Sequence, residues 1–358
     1  MNRVIIISEL AAGGVERVNY LLSKGLSATN RVTTLSIKGV GKEKIHDIDY
    51  EVLGKSSGKK AIRSIIKYLR SEKPDWIITC DHTSAFCAVM YKKLYNSKCK
   101  CMFIVHSVYS SMFYYKPKSK LLIQHYIPKL LNLYNECDAI VYVSQGVKED
   151  FKKLYTINKS KEYVIFNPVF LRMPILREKR ELKGNIKLVT VGRLATEKRQ
   201  KYLIEAVAVL REKAIEAELF IYGEGLLKIE LEKFANELKV EKQIHFCGFC
   251  ENVIDELHKY DVFCLTSEFE SFGNVIVEAM GAKLPVICMD CPVGPREILD
   301  NGNYGVLTPN TKEDFIRQLE ILLRGGVDYD VVDKAYKKSR DFSLKVVIEK
   351  YKQVINNA

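Results

Sequence analysis

VFCLTSEFESFGNVIVEAM, residues 262–280, is the stretch of sequence that decides the fold. Its first six residues form an apolar run of the kind found in strands that are buried on both faces of a parallel sheet. A short polar loop follows, and the apolar residues from Val275 onward predict a helix that begins near Gly273 or Asn274. The stretch therefore predicts a strand, a tight loop and a helix, the repeating unit of α/β proteins.

The same alternation of short apolar runs and amphipathic stretches continues in both directions along the chain. Strand candidates are residues 4–8, 76–80, 102–106, 139–144, 164–167, 186–192, 219–223, 244–248, 262–267 and 284–290. Parallel β-α-β construction follows from this alternation. Between Pro168 and about Asn185, prolines and clustered charges interrupt it, as in a segment that joins two domains.

We therefore predict an α/β protein built from two Rossmann-like, doubly wound domains that face a central cleft. The predicted parts are a first domain at 1–168, a linker at 169–185, a second domain at 186–340 and a terminal helix at 341–358 that packs back on the first domain.

Composition indicates a water-soluble globular protein. The 358 residues are 47% apolar, and no stretch approaches the roughly 20 uninterrupted apolar residues of a membrane span. The apolar run at the N-terminus is shorter than a signal-peptide core, so we expect a first strand and a cytoplasmic protein. Its ten cysteines are expected to be free thiols. The CxxC pairs Cys247/Cys250 and Cys288/Cys291 lie too far apart for a zinc ribbon, which argues against a metal site.

Positive charge is concentrated in the first half of the chain. Residues 1–170 contain 27 Lys/Arg and 14 Asp/Glu, whereas the remainder contains 29 and 30. This excess fits either a solvated lysine-rich surface or attraction to an anionic membrane or a phosphorylated acceptor. Nucleic acid is not expected, because no basic residues alternate with stacking aromatics. The stretch 111–131, which mixes aromatics, lysines and leucines, is a candidate membrane-surface segment, with a core helix as the alternative.

The loop and helix at 268–280 contain the strongest chemical signal. Glu270 lies in the loop and Glu278 lies inside the helix, within an apolar run where a carboxylate needs a partner. The backbone N–H groups of Gly273, Asn274 and Val275 form an anion-binding helix start between them. Carboxylates accept paired hydroxyl hydrogen bonds, so this arrangement suits a sugar on one side, a nucleoside on the other and phosphates between them.

Two other loops could contact phosphate. Gly13 and Gly14 follow the first strand, where absent side chains let backbone N–H groups approach an anion, although a tight turn needs glycine for steric reasons as well. In VGRLATEK (191–198), Arg193 and Lys198 could bring two cations to one diphosphate, or could simply be solvated surface charges.

Taken together and in order, these residues resemble family 4 glycosyltransferases of GT-B fold, along nearly the whole chain. The candidate site residues within these motifs are Gly13, Gly14, His106, Arg193, Lys198, Gly223, Glu224, Gly225, Glu270, Ser271, Phe272, Gly273, Asn274, Val275 and Glu278. The resemblance implies a retaining, metal-independent enzyme without a cofactor. It also implies that Glu270 contacts donor-sugar hydroxyls and Glu278 the ribose. His106 would lie near the reacting sugar, the helix start and the two cations would hold the diphosphate, and residues 223–225 would lie near the nucleoside.

The sequence also departs from the family. Ser271 and Arg199 stand where glycine is frequent, and Asn274 stands where leucine is frequent, so the donor sugar cannot be carried over. DCPVGPREIL (290–299) is similar to a subgroup that transfers galactose, glucose or their N-acetylated forms from UDP onto bacterial surface glycans. We therefore expect a nucleotide sugar and a glycan or glycolipid acceptor as partners, at the inner face of the cell membrane. The alternatives are a sugar-nucleotide epimerase or hydrolase of the same fold, and a non-enzymatic basic membrane-binding protein.

Overall fold

The computed structural model describes residues 1–9, 13–39, 47–95, 97–111, 127–179 and 181–357. Its strands are β1 Arg3–Ile7, β2 Arg31–Ser36, β3 Tyr50–Val52, β4 Trp76–Thr79, β5 Lys100–Val105, β6 Ala139–Tyr142, β7 Lys161–Val164, β8 Ile186–Val191, β9 Ala217–Tyr222, β10 Ile244–Gly248, β11 Val262–Leu265, β12 Val286–Met289 and β13 Val306–Thr308. Its helices are α1 Gly14–Ser27, α2 Gly58–Glu72, α3 His82–Tyr95, α4 Ile127–Leu130, α5 Gln145–Leu154, α6 Gln200–Glu212, α7 Lys228–Glu237, α8 Val253–Glu256, α9 Asn274–Gly281, α10 Pro295–Ile298, α11 Lys312–Gly325, α12 Tyr329–Ser339 and α13 Leu344–Asn357.

These elements form two compact units. Unit 1 comprises Met1–Leu171 together with Leu344–Ala358, and unit 2 comprises Arg172–Ser343. The boundary at Leu171 lies inside the segment 169–185 that the sequence predicts as a linker. This segment is anchored to unit 2 by Arg177, whose buried guanidinium donates to the carbonyl of Tyr260 and forms an ion pair with Asp261 at 3.2 Å.

Unit 1 is built on a parallel sheet in the order β3-β2-β1-β4-β5-β6-β7. The central strands are buried on both faces, and β1, β4 and β5 are accordingly continuous apolar runs. The order reverses between β1 and β4, which makes this pair the topological switch point of a doubly wound sheet. Asn19, buried in α1, marks that point by donating to Ser8 beyond β1 and to the thiol of Cys80 beyond β4.

Helix α13 completes unit 1 from the far end of the sequence. It lies against α1 at Gly25, where an added Cβ would come within 2.8 Å of Ile348 and 2.9 Å of Leu344. Glycine is therefore needed at this helix contact for close approach and not for its backbone conformation. The start of α13 is fixed by the Leu344 N–H, which donates to the carbonyl of Phe170 at 2.8 Å.

Unit 2 repeats the design with a parallel sheet in the order β10-β9-β8-β11-β12-β13. Its switch point lies between β8 and β11. The core between the sheet and α6, α7 and α11 consists mainly of leucine, isoleucine, valine and alanine side chains, many of them with no exposed surface. Two Rossmann-like α/β units are thus confirmed.

The predicted strands differ from the observed ones mainly at their ends, with one larger shift. The run 164–167 was predicted as a strand, but the edge strand β7 is Lys161–Val164 and ends where that run begins. No helix in the described ranges combines the length and apolarity that crossing a bilayer requires.

Candidate functional site

The loops that follow β8 and β11 flank the switch point of unit 2. In parallel α/β sheets, ligands bind at the carboxyl ends of the strands beside such a point. The two loops are also tied to each other. The Glu268 N–H donates to the carbonyl of Glu197 at 2.7 Å, and the Thr266 hydroxyl donates to the carbonyls of Lys198 and Arg199, each at 3.1 Å. The sequence stretches 192–199 and 266–273 therefore form one local structure.

The centre of this structure is an ion pair between Lys198 and Glu270. The lysine Nζ lies 2.5 Å from the Oε1 atom of Glu270, and the two side chains are only 20% and 12% exposed. The Ser267 hydroxyl donates to the same carboxylate oxygen at 2.8 Å. One carboxylate is thus held by a cation and a hydroxyl at the edge of the sheet. The sequence assigned Lys198 and Glu270 to one donor site, but it predicted neither their ion pair nor the role of Ser267. A polar residue at the carboxyl end of a buried strand was the available signal.

Arg193, the second predicted phosphate ligand, lies near the surface of the same loop. Its guanidinium pairs with Glu197 at 2.7 Å, and its side chain is 72% exposed. Gln200 donates to the Arg193 carbonyl at 2.9 Å and so fixes the backbone. The neighbouring Arg199 pairs with Glu268 at 3.0 Å. The exposed guanidinium of Arg193 can turn toward a ligand, but doing so gives up its pair with Glu197, whose side chain is only 15% exposed.

Helix α9 begins at Asn274, as the sequence predicted. Gly273 precedes it with φ of 102°, a left-handed conformation that favours glycine, and it offers no side chain to cap the first turn. Asn274 and Val275 are half-buried in that turn, and Ser271 is half-buried just before it. Phe272 is buried against Phe342, with ring centres 5.6 Å apart.

Gly294, in the loop after β12, packs against the loop that leads into α9. This residue has φ of 96°, and an added Cβ would overlap the carbonyl oxygen of Phe272 and come within 3.1 Å of the Cβ of Glu270. The loop after β12 therefore supports the loop of Glu270 directly. The sequence singled out 290–299 only by resemblance and did not indicate this contact.

Glu278 lies one turn further into α9 and is only 5% exposed. Its neighbours Val277 and Ala279 have no exposed surface. The sequence spacing thus places a largely buried carboxylate one turn from the helix start at Asn274.

The turn at 223–225 packs on the backbone of the β8 loop. Gly223 has φ of 131°, and its Cβ would overlap the carbonyl oxygen of Gly192, while a Cβ at Gly225 would overlap that of Leu194. Glu224 is exposed, and its carbonyl accepts from the Leu194 N–H at 2.9 Å. Both glycines are thus required for this close approach, which brings the turn to the edge of the site.

In unit 1, His106 follows β5 and is 7% exposed. Burial lowers the pKa of its imidazole to about 4, so the ring is neutral at pH 7. Within the described ranges its buried Nε2 atom has no hydrogen-bond partner. An orphaned polar atom at the carboxyl end of a parallel strand is consistent with a ligand contact.

Gly13 and Gly14 stand at the start of α1, as predicted. Gly13 is extended, with φ of 166°, and a Cβ there would overlap the carboxylate of Glu16. Burial raises the pKa of Glu16, and the neighbouring charge of Glu9 raises it further. An acidic side chain therefore already lies over the glycine turn.

The remaining predictions concern cysteines and the stretch 111–131. All ten cysteines are free thiols, and burial raises the pKa of Cys291 to about 12. No group of three or more metal-ligating side chains lies within the part of the chain that is described. Most of the stretch 111–131, namely residues 112–126, lies outside the described residues.

Two family models match consecutive parts of the chain. The model "Glycosyltransferase Family 4" matches residues 12–172, and the model "Glycosyl transferases group 1" matches residues 173–340. Their junction falls within one residue of the boundary between units 1 and 2.

Individual relatives agree with these matches. The chain is 26% identical to an uncharacterized glycosyltransferase of Methanocaldococcus jannaschii, over 83% of this chain and 82% of that protein. It is 30% identical to the N-acetylgalactosamine-N,N'-diacetylbacillosaminyl-diphospho-undecaprenol 4-alpha-N-acetylgalactosaminyltransferase of Campylobacter jejuni, over 63% of this chain and 60% of that protein. Among solved structures, Anabaena HepE in complex with UDP and glucose superimposes with a TM-score of 0.82 at 18% identity, over all of both chains.

Proposed function

The chain belongs to the family 4 glycosyltransferases, and on this premise we propose that it transfers a hexose or N-acetylhexosamine from a nucleotide sugar to a lipid-linked or surface polysaccharide or oligosaccharide acceptor. The proposed donor is a UDP-linked galactose, glucose, N-acetylgalactosamine or N-acetylglucosamine. Transfer retains the anomeric configuration and uses neither a metal ion nor a cofactor. The observation that carries the proposal is the partly buried Lys198–Glu270 pair beside the start of α9.

The diphosphate of the donor binds at the start of α9. Backbone N–H groups of a first helical turn and the positive end of the helix favour an anion there. Lys198 supplies a point charge from the adjacent loop, and Arg193 swings from Glu197 to supply a planar fork for two phosphate oxygens. These groups provide the positive charge that a metal ion supplies in other transferases.

The two carboxylates position the rest of the donor. Glu270, held by Ser267 and Lys198, accepts hydrogen bonds from sugar hydroxyls. Glu278 accepts those of the ribose from its buried position in α9.

In the proposed reaction, an acceptor hydroxyl oxygen bonds to the anomeric carbon as the bond from that carbon to the diphosphate oxygen breaks. The acceptor proton passes to the departing diphosphate. Negative charge grows on the diphosphate and positive charge on the sugar, so Lys198, Arg193 and the helix start stabilise the transition state more than the bound donor. His106, neutral at pH 7, offers a hydrogen bond to the substrate without adding charge.

The relatives support the choice of substrates by analogy. The HepE structure contains UDP and glucose, and the name of the Campylobacter enzyme specifies a diphospho-undecaprenol acceptor. We propose a similar pairing of a UDP-sugar with a lipid-linked glycan for this chain. Its site of action is then the cytoplasmic face of the membrane that contains the acceptor.

The nucleotide is tested by thermal shift with UDP, GDP and ADP. A ligand at 100 times its Kd stabilises the native state by about 2.7 kcal/mol, so the correct nucleotide raises the unfolding temperature by several degrees. We expect UDP to do so. Stabilisation by GDP or ADP alone would contradict the choice of donor.

Transfer is then measured with radiolabelled UDP-sugars and an undecaprenyl-diphosphate-linked glycan. Lys198→Ala, Glu270→Ala and the Arg193→Ala/Lys198→Ala double variant should each lower kcat/KM by at least about 100-fold, as loss of transition-state charge stabilisation does elsewhere. Lys201→Ala is the matched control, since it breaks a surface ion pair with Glu230 in the same unit. Full activity of the double variant, or donor consumption without acceptor, would refute the proposal, and the second result would indicate an epimerase or hydrolase.

A further inference from the structure

Helix α2 of unit 1 has an excess of positive charge. Residues 58–72 contain Lys59, Lys60, Arg63, Lys67 and Arg70 but only one acidic residue. The side chains of Lys60, Arg63, Lys67 and Arg70 are exposed. We call these four residues the α2 basic stripe.

The spacing of the stripe puts its members on one line. At 3.6 residues per turn, positions 60, 63, 67 and 70 fall within about 80° of arc and extend over about 15 Å of the helix. The buried residues Ala61, Ile65 and Leu69 have no exposed surface and lie on the opposite side of the helix. The α2 basic stripe therefore faces directly away from the core of unit 1.

The stripe is not neutralised by neighbouring carboxylates. None of its four members has an ion pair with another described residue, and Glu72, the acidic residue of α2, pairs with Arg3. Other lysines of unit 1 do have such partners, for example Lys92 with Asp138. Like charges three and four residues apart destabilise a helix by about 0.2–0.5 kcal/mol per pair. The row of like charges therefore does not stabilise α2.

Two exposed apolar side chains lie at the end of the stripe. Leu94 is 59% exposed and Tyr95 is 42% exposed, both in the last turn of α3. The Arg70 guanidinium lies over the Tyr95 ring, 5.2 Å from its centre, which joins the apolar pair to the stripe. The cations of the stripe can contact anionic lipid headgroups, and the leucine and tyrosine side chains at its end can contact the acyl chains beneath them.

We propose that the α2 basic stripe, with Leu94 and Tyr95, docks unit 1 on the surface of a bilayer that contains anionic lipids. This inference deepens the proposed function, because a lipid-linked acceptor lies in such a bilayer. A bilayer fits better than a nucleic acid, since Tyr68, the aromatic residue within this stretch, lies about 120° around the helix from the centre of the row and does not alternate with its cations.

The test is co-sedimentation of the full chain with phosphatidylcholine vesicles that contain 0% or about 30% phosphatidylglycerol, at low salt. Each Lys or Arg near an anionic surface contributes about 1 kcal/mol, so Arg63→Glu/Lys67→Glu should bind at least about 30-fold more weakly than the wild type. Glutamate favours helix, so α2 should persist, and circular dichroism checks this. Lys153→Glu/Lys159→Glu, two exposed lysines near the opposite edge of the sheet, makes the same change in net charge and should bind as the wild type does.

A second variant tests the contribution of the exposed apolar side chains to vesicle binding. Leu94→Gln leaves the charge unchanged and should lower the vesicle binding that remains when salt screens the stripe. Equal losses in Arg63→Glu/Lys67→Glu and in the charge-matched control would overturn the proposal, because net charge alone would then explain binding. Failure to bind anionic vesicles while binding a single-stranded RNA oligonucleotide through the same residues would overturn it in favour of nucleic acid. Thermal stabilisation by UDP is measured on the same variants, so a failed docking surface is distinguished from a failed donor site.

Discussion

His106 should make unit 1 sensitive to acid, and replacing it should remove that sensitivity. The imidazole is buried, and its pKa in the folded protein is about 4, against about 6.5 in an unfolded chain. Protons therefore bind the unfolded chain more readily than the folded one across this range. Above pH 6.5 the neutral histidine has no such effect. As the pH falls from 6.5 toward 4, stability is progressively lost, and below 4 the loss is complete.

The size of the effect follows from the shift in pKa. A difference of about 2.5 pKa units corresponds to about 3 kcal/mol once the pH is well below 4, and to about 2 kcal/mol at pH 5. Two kcal/mol is a considerable part of the stability of one domain. The variant His106→Gln retains a polar side chain of similar length and does not titrate, so it should lack this loss.

The single tryptophan of the chain, Trp76, provides the measurement. It lies in β4 of unit 1 and is only 3% exposed, so its fluorescence reports the unfolding of the unit that contains His106. Urea unfolding is followed at pH 7.5 and pH 5.0 for the wild type and for His106→Gln. We expect the free energy of unfolding to fall by about 2 kcal/mol more in the wild type than in the variant.

The matched control is His245→Gln, which changes a partly exposed histidine of unit 2 and should leave the pH dependence of Trp76 unfolding as it is in the wild type. If His106→Gln lost as much stability at pH 5 as the wild type does, the inference that burial keeps this imidazole neutral would be wrong. The assignment of a neutral hydrogen-bonding role to His106 would then lose its basis.

Three further predictions concern unit 2. Gly223→Ala should destabilise unit 2 by about 2 kcal/mol more than Gly248→Ala does, as measured in a thermal melt. Both glycines have positive φ, but only Gly223 lies against neighbouring backbone. Equal destabilisation by the two substitutions would contradict the argument that Gly223 is needed for close approach. Ser267→Ala should lower the rate of transfer about tenfold while leaving UDP binding unchanged, since it removes one hydrogen bond to a carboxylate that contacts the sugar; weaker UDP binding would indicate a role in the phosphate site instead. Arg177→Met should destabilise unit 2 by about 3 kcal/mol or more by removing the cation that faces the buried Asp261 carboxylate, whereas Arg172→Met, which breaks an exposed pair, should cost under about 1 kcal/mol.

The strands that the sequence predicted well are those with a simple physical signature. β11 and β12 are continuous apolar runs because both faces of a central parallel strand are covered. β2 was missed, since it contains Thr33, Thr34 and Ser36, all buried. The Thr34 hydroxyl donates to that of Ser23 at 3.0 Å, so a polar residue is tolerated in the core by a partner that no local pattern reveals.

The functional site likewise contains features that the sequence predicted and others that it did not. The E-x7-E spacing and the strand before it were enough to predict the start of α9 and the loop that contains Glu270. The bond from Ser267 to Glu270 and the pairing of Arg193 with Glu197 were not predicted, because side-chain partners within a loop depend on its backbone conformation. The same holds for Gly294, whose positive φ is visible only once the loop is folded.

The course of the chain through unit 1 has a consequence for synthesis. A ribosome delivers residues 1–171 first, but α13, which packs Leu344 and Ile348 against Gly25 of α1, emerges only after all of 172–343. Unit 2 can therefore finish folding while unit 1 still waits for its final helix. Until then, the surface around Gly25 is a temporary site for chaperones or for unwanted association between nascent chains.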